Sequence, residues 1–91
     1  MIQASDFNFL EIDKSNGHED YWFSVSGDTA KELTTKYMEQ SMIKVTNCVY
    51  SSDEDIIGVQ RQFPFNKDVI IPNDDDLKNV LRELSKQILN G

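Results

Sequence analysis

The feature that most constrains this chain is an apolar stripe near its C-terminal end. The stripe has the spacing of one α-helical face and consists of Leu77, Val80, Leu81, Leu84 and Ile88. A helix with one apolar face must bury that face against another element. The sequence therefore predicts a closing helix that packs on a sheet, capped by Asn73 or Asp74 at its start and by Gly91 at its end.

Short strand-like segments can supply that sheet. Residues 6–13, 20–26, 42–50 and 56–63 have the residue types and alternation of strands, and residues 69–71 predict a short fifth strand. A polar loop follows the third segment, and proline follows the fourth and the fifth. The chain therefore carries four or five strands separated by turn signals.

A second helix is predicted between the second and third strands. Thr29 and Glu32 fit a capping box, so Asp28 or Thr29 is expected to cap a helix that ends near Gln40. Its apolar face would carry Ala30, Leu33, Tyr37 and Met38. The order ββα-ββ(β)-α predicts one α+β domain over residues 1–91, with two layers. Its four- to five-stranded, mainly antiparallel sheet would have both helices on one face.

The first strand has a parity conflict. Phe7 and Phe9 share one face of the predicted strand, whereas Leu10 and Ile12 share the other. Either a strand covered on both faces or a β-bulge would explain this pattern. The two alternatives place Leu10 and Ile12 differently, in the core or at an interface.

The second strand has a clear alternation. Asn16 and Gly17 precede it and predict a two-residue type I′ hairpin turn. The core face of the strand is expected to carry Tyr21, Phe23 and Val25. Trp22 would then lie on the opposite face of the sheet, where it meets solvent or a partner.

Charge limits the class of partner. Sixteen acidic residues against nine basic ones give a net charge of −7. A phosphate backbone and an anionic membrane both repel such a surface, so neither nucleic acid nor membrane is expected as a direct partner. A basic protein would be attracted and steered. Simple solubility is the alternative use of the charge.

The sequence offers little for catalysis or metal binding. His18 is the only histidine and Cys48 the only cysteine, and His18 falls in a predicted turn. Residues 13–24 depart from a calcium-binding EF-hand loop, because glycine is fifth and not sixth and Ser24 replaces the final glutamate. We therefore expect no enzyme activity, no metal site and no cofactor. The lone cysteine and the lack of a signal peptide or long apolar run predict the cytoplasm.

Acidic clusters and exposed aromatic residues are the candidates for partner binding. The candidate set is Glu19, Asp20, Trp22, Tyr50, Asp53, Glu54, Asp55, Asp74 and Asp75. Binding hot spots favour Trp and Tyr, and Tyr50 is expected to join Trp22. The alternative for the acidic clusters is a solvated rim with no partner, and for Asp74 and Asp75 it is compensation of the dipole of the closing helix. The alternative for Trp22 is that N-terminal residues or a dimer mate cover its face of the sheet.

These observations predict a protein-binding inhibitor and not an enzyme. The favoured type is an immunity protein that neutralises a cognate basic, nuclease-type toxin by occluding its active site or its nucleic-acid groove. One alternative is a phage-encoded DNA mimic that inhibits a host defence enzyme, although nine basic residues interrupt the acidic surface. The other is an adaptor, a secretion chaperone or a small subunit. This alternative is compatible with a homodimer.

Overall fold

In a computed structural model of the chain, the structure describes residues 2–37, 45–61, 68–71 and 73–91. The strands are β1 (Phe7–Asp13), β2 (Asp20–Val25), β3 (Val45–Ser51), β4 (Ile56–Arg61) and β5 (Asp68–Ile71), and the helices are α1 (Gly27–Tyr37) and α2 (Asp75–Asn90). These strands form one sheet in the order β1-β2-β3-β4-β5, antiparallel throughout. The predicted α+β class and element order are confirmed. Met38 and the predicted helix end near Gln40 lie outside the described residues.

The core lies between one face of the sheet and the two helices. The buried apolar side chains form one cluster of Phe7, Tyr21, Phe23, Val25, Leu33, Cys48, Tyr50, Ile57, Val59, Ile71, Leu77 and Leu81. Fully burying a large apolar side chain contributes roughly 1.5–3 kcal/mol. Because α1 and α2 both contribute to this cluster, they lie on the same face of the sheet, as predicted. We call the other face of the sheet the open face.

A β-bulge resolves the parity conflict in β1. The pairing with β2 skips one residue, Leu10, between Phe9 and Glu11. The extra residue reverses the parity of the strand, so Ile12 packs against the core on the same side as Phe7. Leu10 itself is 52% exposed. The bulge is therefore the correct alternative.

The turn between β1 and β2 spans the predicted residues but has a different conformation from the predicted one. Strand pairing ends at Asp13 and Asp20, which leaves residues 14–19 as the connection. Ser15–Gly17 form a 3₁₀ turn in which Gly17 has a φ of 78°. Glycine reaches this conformation without steric penalty. The prediction of a type I′ turn at Asn16 and Gly17 is wrong, because these two residues belong to the 3₁₀ turn and Asn16 does not have the positive φ that type I′ requires.

The start of α1 depends on a residue far away in the sequence. The helix begins at Gly27, so the predicted cap at Asp28 or Thr29 is wrong. Asp6 performs the capping, since its carboxylate accepts a hydrogen bond from the Thr29 N–H at 3.2 Å. Gly27 has a φ of 63°, and a Cβ there would lie 3.2 Å from the Asp6 carboxylate. Glycine is therefore required at this contact.

The N-terminal segment packs along the helices. Thr29 is fully buried, and its hydroxyl oxygen accepts a hydrogen bond from the Gln3 N–H at 2.9 Å. Ile2 packs against the core cluster. These contacts place the segment on the helix-covered side of the sheet. Residues 2–6, the described part of the N-terminal segment, therefore do not cover the face that carries Trp22.

Both ends of α2 are closed as the sequence predicts. The Asp74 side chain accepts a hydrogen bond from the Leu77 N–H at 3.0 Å. At the other end, the Gly91 N–H donates to the Gln87 carbonyl at 2.8 Å. Between these caps the helix presents its apolar stripe to the sheet. The predicted stripe and caps are confirmed.

Candidate functional site

One continuous row of residues crosses the centre of the open face. The residues lie directly opposite one another on successive strands and are Glu11, Trp22, Val49, Gly58 and Ile70. Residues paired in this way point to the same face of a sheet. Trp22 therefore lies on the open face, as predicted, and is half-buried there. Ile70, at the other end of the row, is 63% exposed.

A gap in this row lies at Gly58. Apart from its chain neighbours, no described atom lies within 4 Å of the position that a Cβ at residue 58 would occupy. Val49 and Ile70 flank the gap on the adjacent strands, and Ile56 lies two residues back on β4. Strands are about 4.8 Å apart, so Val49 and Ile70 stand roughly 10 Å from each other. We call Gly58 and these three side chains the Gly58 notch.

Three carboxylates border Trp22 on the open face. Glu11 lies opposite Trp22, and Asp13 lies directly opposite Asp20. Like charges opposite one another destabilise a sheet. Among the described residues, the ion pairs are made by other acids, so these three have no basic partner within 4 Å. We call Glu11, Asp13 and Asp20 the acidic strip.

Two turns meet at the end of the sheet beside this strip. The Ser52 N–H donates to the Glu19 carbonyl at 3.1 Å, which ties the two turns together. His18 Nδ1 lies 3.3 Å from an Asp53 carboxylate oxygen. We call the two exposed carboxylates of the second turn, Asp53 and Glu54, the acidic end. Asp20 lies directly opposite Ser51, so the acidic strip reaches the turn that carries Asp53 and Glu54. The Glu19 carboxylate instead accepts a hydrogen bond from the Tyr21 hydroxyl at 2.8 Å, on the helix-covered side of the sheet.

Tyr50 and Asp55 have internal roles. Tyr50 is 5% exposed and pairs with Tyr21 on the helix-covered face, so the prediction that it joins Trp22 is wrong. Its hydroxyl donates to Asp55 at 3.0 Å, and Arg82 Nε donates to the same carboxylate at 3.0 Å. The hydrogen bond from Arg82 holds the pKa of Asp55 below its usual value. Asp55 therefore links the β3–β4 turn to α2.

Asp74 also has an internal role. It is 6% exposed, and beyond capping α2 it accepts hydrogen bonds from the Tyr37 hydroxyl and, at 3.0 Å, from Lys36 Nζ. Burial alone would raise the pKa of Asp74, but the hydrogen bonds from Tyr37, the Leu77 N–H and Lys36 outweigh it and lower the pKa. Asp75 is exposed in the first turn of α2, away from the open face.

The groups that catalysis or a metal would need are dispersed in the described part of the chain. Cys48 is fully buried, and burial raises the pKa of its thiol to about 12, so it is protonated at neutral pH. No group of three His, Cys, Asp or Glu side chains there is arranged to hold a metal ion. No helix in the same residues has the length and apolar content to cross a membrane.

Part of the predicted binding set therefore comes together. Asp20 lies beside Trp22, and Asp53 and Glu54 lie on the adjoining turn. Glu19 does not join them, because its carboxylate bonds the Tyr21 hydroxyl on the helix-covered side. Tyr50, Asp55, Asp74 and Asp75 lie elsewhere. Sequence reasoning missed the acidic residues Glu11 and Asp13 and the notch, because strand register alone brings them to Trp22. The one available signal was Gly58, a glycine inside a predicted strand, which can mark a close backbone approach.

Comparison of the chain with protein-family models, with curated proteins and with solved structures finds no match. The function is therefore argued from the site alone.

Proposed function

We propose that this protein is an inhibitor of the immunity-protein type that binds a basic, nuclease-type toxin. It would occlude the active site or the nucleic-acid groove of that toxin in the cytoplasm and catalyse no reaction of its own. One observation carries the proposal: the acidic strip lies beside Trp22 on the open face, and the exposed acidic end lies on the turn that Asp20 adjoins.

The distribution of basic residues supports this assignment. In the described part of the chain, the lysine and arginine residues in ion pairs lie on the helices, where Lys36 pairs with Asp74 and Lys86 with Glu83. Arg82 likewise pairs with Asp55. The helix layer thus neutralises part of its own charge. The strip and the acidic end keep a field that attracts a basic protein.

The chemistry of the target fits the same surface. A nuclease holds the phosphate groups of its substrate with Lys and Arg side chains. Carboxylates fixed on the sheet and on the turn that carries Asp53 and Glu54 can pair with those side chains in place of phosphate. Electrostatic attraction also speeds association, while a buried aromatic residue at the contact slows dissociation. Trp22 beside Asp20 supplies that aromatic residue.

The first experiment is to identify the partner and measure inhibition. Tagged protein is recovered from its native host at moderate and at high salt, and bound proteins are identified by mass spectrometry. We expect one basic nuclease in stoichiometric amount, whose cleavage of nucleic acid stops when one equivalent of the purified chain is added. Recovery of only the chain itself or of a neutral complex would contradict the proposal, as would a bound nuclease that stays active.

Matched charge variants test the surface itself. Asp53→Asn with Glu54→Gln removes two charges from the acidic end, and Asp75→Asn with Asp76→Asn removes two from the first turn of α2. At low salt the first pair should slow association with the nuclease about tenfold, and the second pair should change it little. An equal effect of the two pairs in stopped-flow binding would mean that net charge, and not this surface, attracts the partner.

A further inference from the structure

We propose that the Gly58 notch receives one apolar side chain of the partner, and that Lys or Arg side chains of the same partner segment reach the acidic strip. This inference rests on the proposed function. It adds the contact surface on this chain and the chemistry of the segment that binds there.

The fold gives no reason for glycine at residue 58. The described glycines with positive φ are Gly17 and Gly27, so the backbone conformation at residue 58 does not require glycine. A Cβ there would meet nothing within 4 Å outside its chain neighbours, so space does not require it either. Glycine weakens a strand because it has no side chain to pack and loses more entropy on folding. A contact that approaches the sheet closely explains its presence.

The side chains around Gly58 determine what can enter. Val49, Ile56 and Ile70 are aliphatic, and Ile70 is 63% exposed. An apolar group placed over the glycine would contact all three and remove them from water. A charged group placed among these three side chains would lose hydration without gaining a polar partner from them. The notch therefore fits an aliphatic or aromatic side chain.

Charge selects a basic partner over a second copy of this chain. In a symmetric dimer through the open face, each copy would place its acidic strip in the same interface. Both copies carry a net charge of −7, so this arrangement is repulsive. Lys and Arg side chains instead complement Glu11, Asp13 and Asp20, and a cation above Trp22 gains a further attraction.

The sheet sets the spacing of the partner segment. Gly58 on β4 lies two strands from Trp22 on β2 and three strands from Glu11 on β1. At about 4.8 Å per strand these separations are roughly 10 and 14 Å. An extended segment covers that span in about three or four residues. In the expected segment, the basic residue therefore lies about three or four positions along the chain from the apolar residue.

A selection with random peptides tests the inference. A phage-displayed library of random linear peptides is selected on the immobilised wild-type protein, and enriched peptides are synthesised and titrated by calorimetry. We expect basic peptides with an apolar residue at the stated separation, and a Kd at least about tenfold weaker for Gly58→Thr. The variant should resist urea at least as well as wild type, because its side chain enters open space and glycine itself weakens a strand. Ser24→Thr, a matched change on the same face away from the notch, should bind like wild type.

The other outcomes overturn the inference. These are no enrichment, enrichment of peptides without basic residues, or equal binding by Gly58→Thr. A dimer of the wild type that Gly58→Thr abolishes in sedimentation would assign the notch to a second copy. Failure of the proposed function can be distinguished from failure of this inference. If basic peptides bind at the notch but no nuclease is recovered from the host, the proposed inhibitor function is wrong. If the acidic-end variants weaken the nuclease complex and Gly58→Thr does not, only the inference about the notch is wrong.

Discussion

Asp74 connects the two helices through one carboxylate. It caps α2 through the Leu77 N–H and receives hydrogen bonds from Tyr37 and Lys36 on α1. Each of these bonds favours the charged form, and together they exceed the effect of burial. A residue that the sequence suggests as an acidic recognition site is thus a link between the two helices.

This link predicts how stability depends on pH. The pKa of Asp74 is lower in the folded state than the unfolded value of about 3.9. Its contribution to the free energy of unfolding is therefore full above that value and is lost as pH falls through the folded pKa. In urea unfolding, wild type should lose more stability between about pH 6 and pH 2 than Asp74→Asn does. Equal losses would contradict the assigned role.

At the scale of single elements, α1 offers a direct test of non-local capping. Asp6→Ala should lower the free energy of unfolding by about 1 kcal/mol, because the Thr29 N–H loses its acceptor. Asp28→Ala is the matched control, since it removes an exposed acid from the first turn of the same helix. Urea unfolding compares the two. A larger effect of Asp28→Ala would mean that the cap is local after all.

The pairing of β1 with β2 predicts a mutation that stabilises the protein. Asp13 and Asp20 lie opposite one another, and no described basic side chain pairs with them. Asp20→Asn should raise the free energy of unfolding by about 0.5 kcal/mol, and the gain should shrink as salt screens the charges. A loss of stability at low salt would show that another group already compensates Asp20.

The elements also show what could be predicted from the sequence. The α2 stripe and the alternation around Tyr21 repeat over a few residues, so sequence alone indicates them. The cap of α1 and the partner of Asp55 lie 23 and 27 residues away, and no local pattern indicates such contacts. The alternation within β2 alone indicates the face of Trp22. The face of Tyr50 relative to Trp22 depends on the register between β2 and β3, which no local pattern indicates.

For the molecule as a whole, charge and the aromatic contact should act on different steps of binding. Trp22→Ala should weaken binding of the nuclease by roughly 2 kcal/mol, about thirtyfold in Kd, mainly through faster dissociation. Raising the salt concentration should mainly slow association. Surface plasmon resonance separates the two rates. If Trp22→Ala leaves dissociation unchanged, the open face is not the contact.

The agreement between chain order and strand order bears on synthesis. Each strand pairs with the strand made before it, so the ribosome can deliver the sheet one neighbour at a time. However, α2 follows all five strands and brings Leu77 and Leu81 to the core. Until it emerges, Tyr50 and Ile57 lack that cover, and the nascent chain presents an apolar face of the kind that chaperones bind. Synthesis of this helix is thus the step after which the apolar face of the sheet is covered and the nascent chain is no longer prone to aggregate.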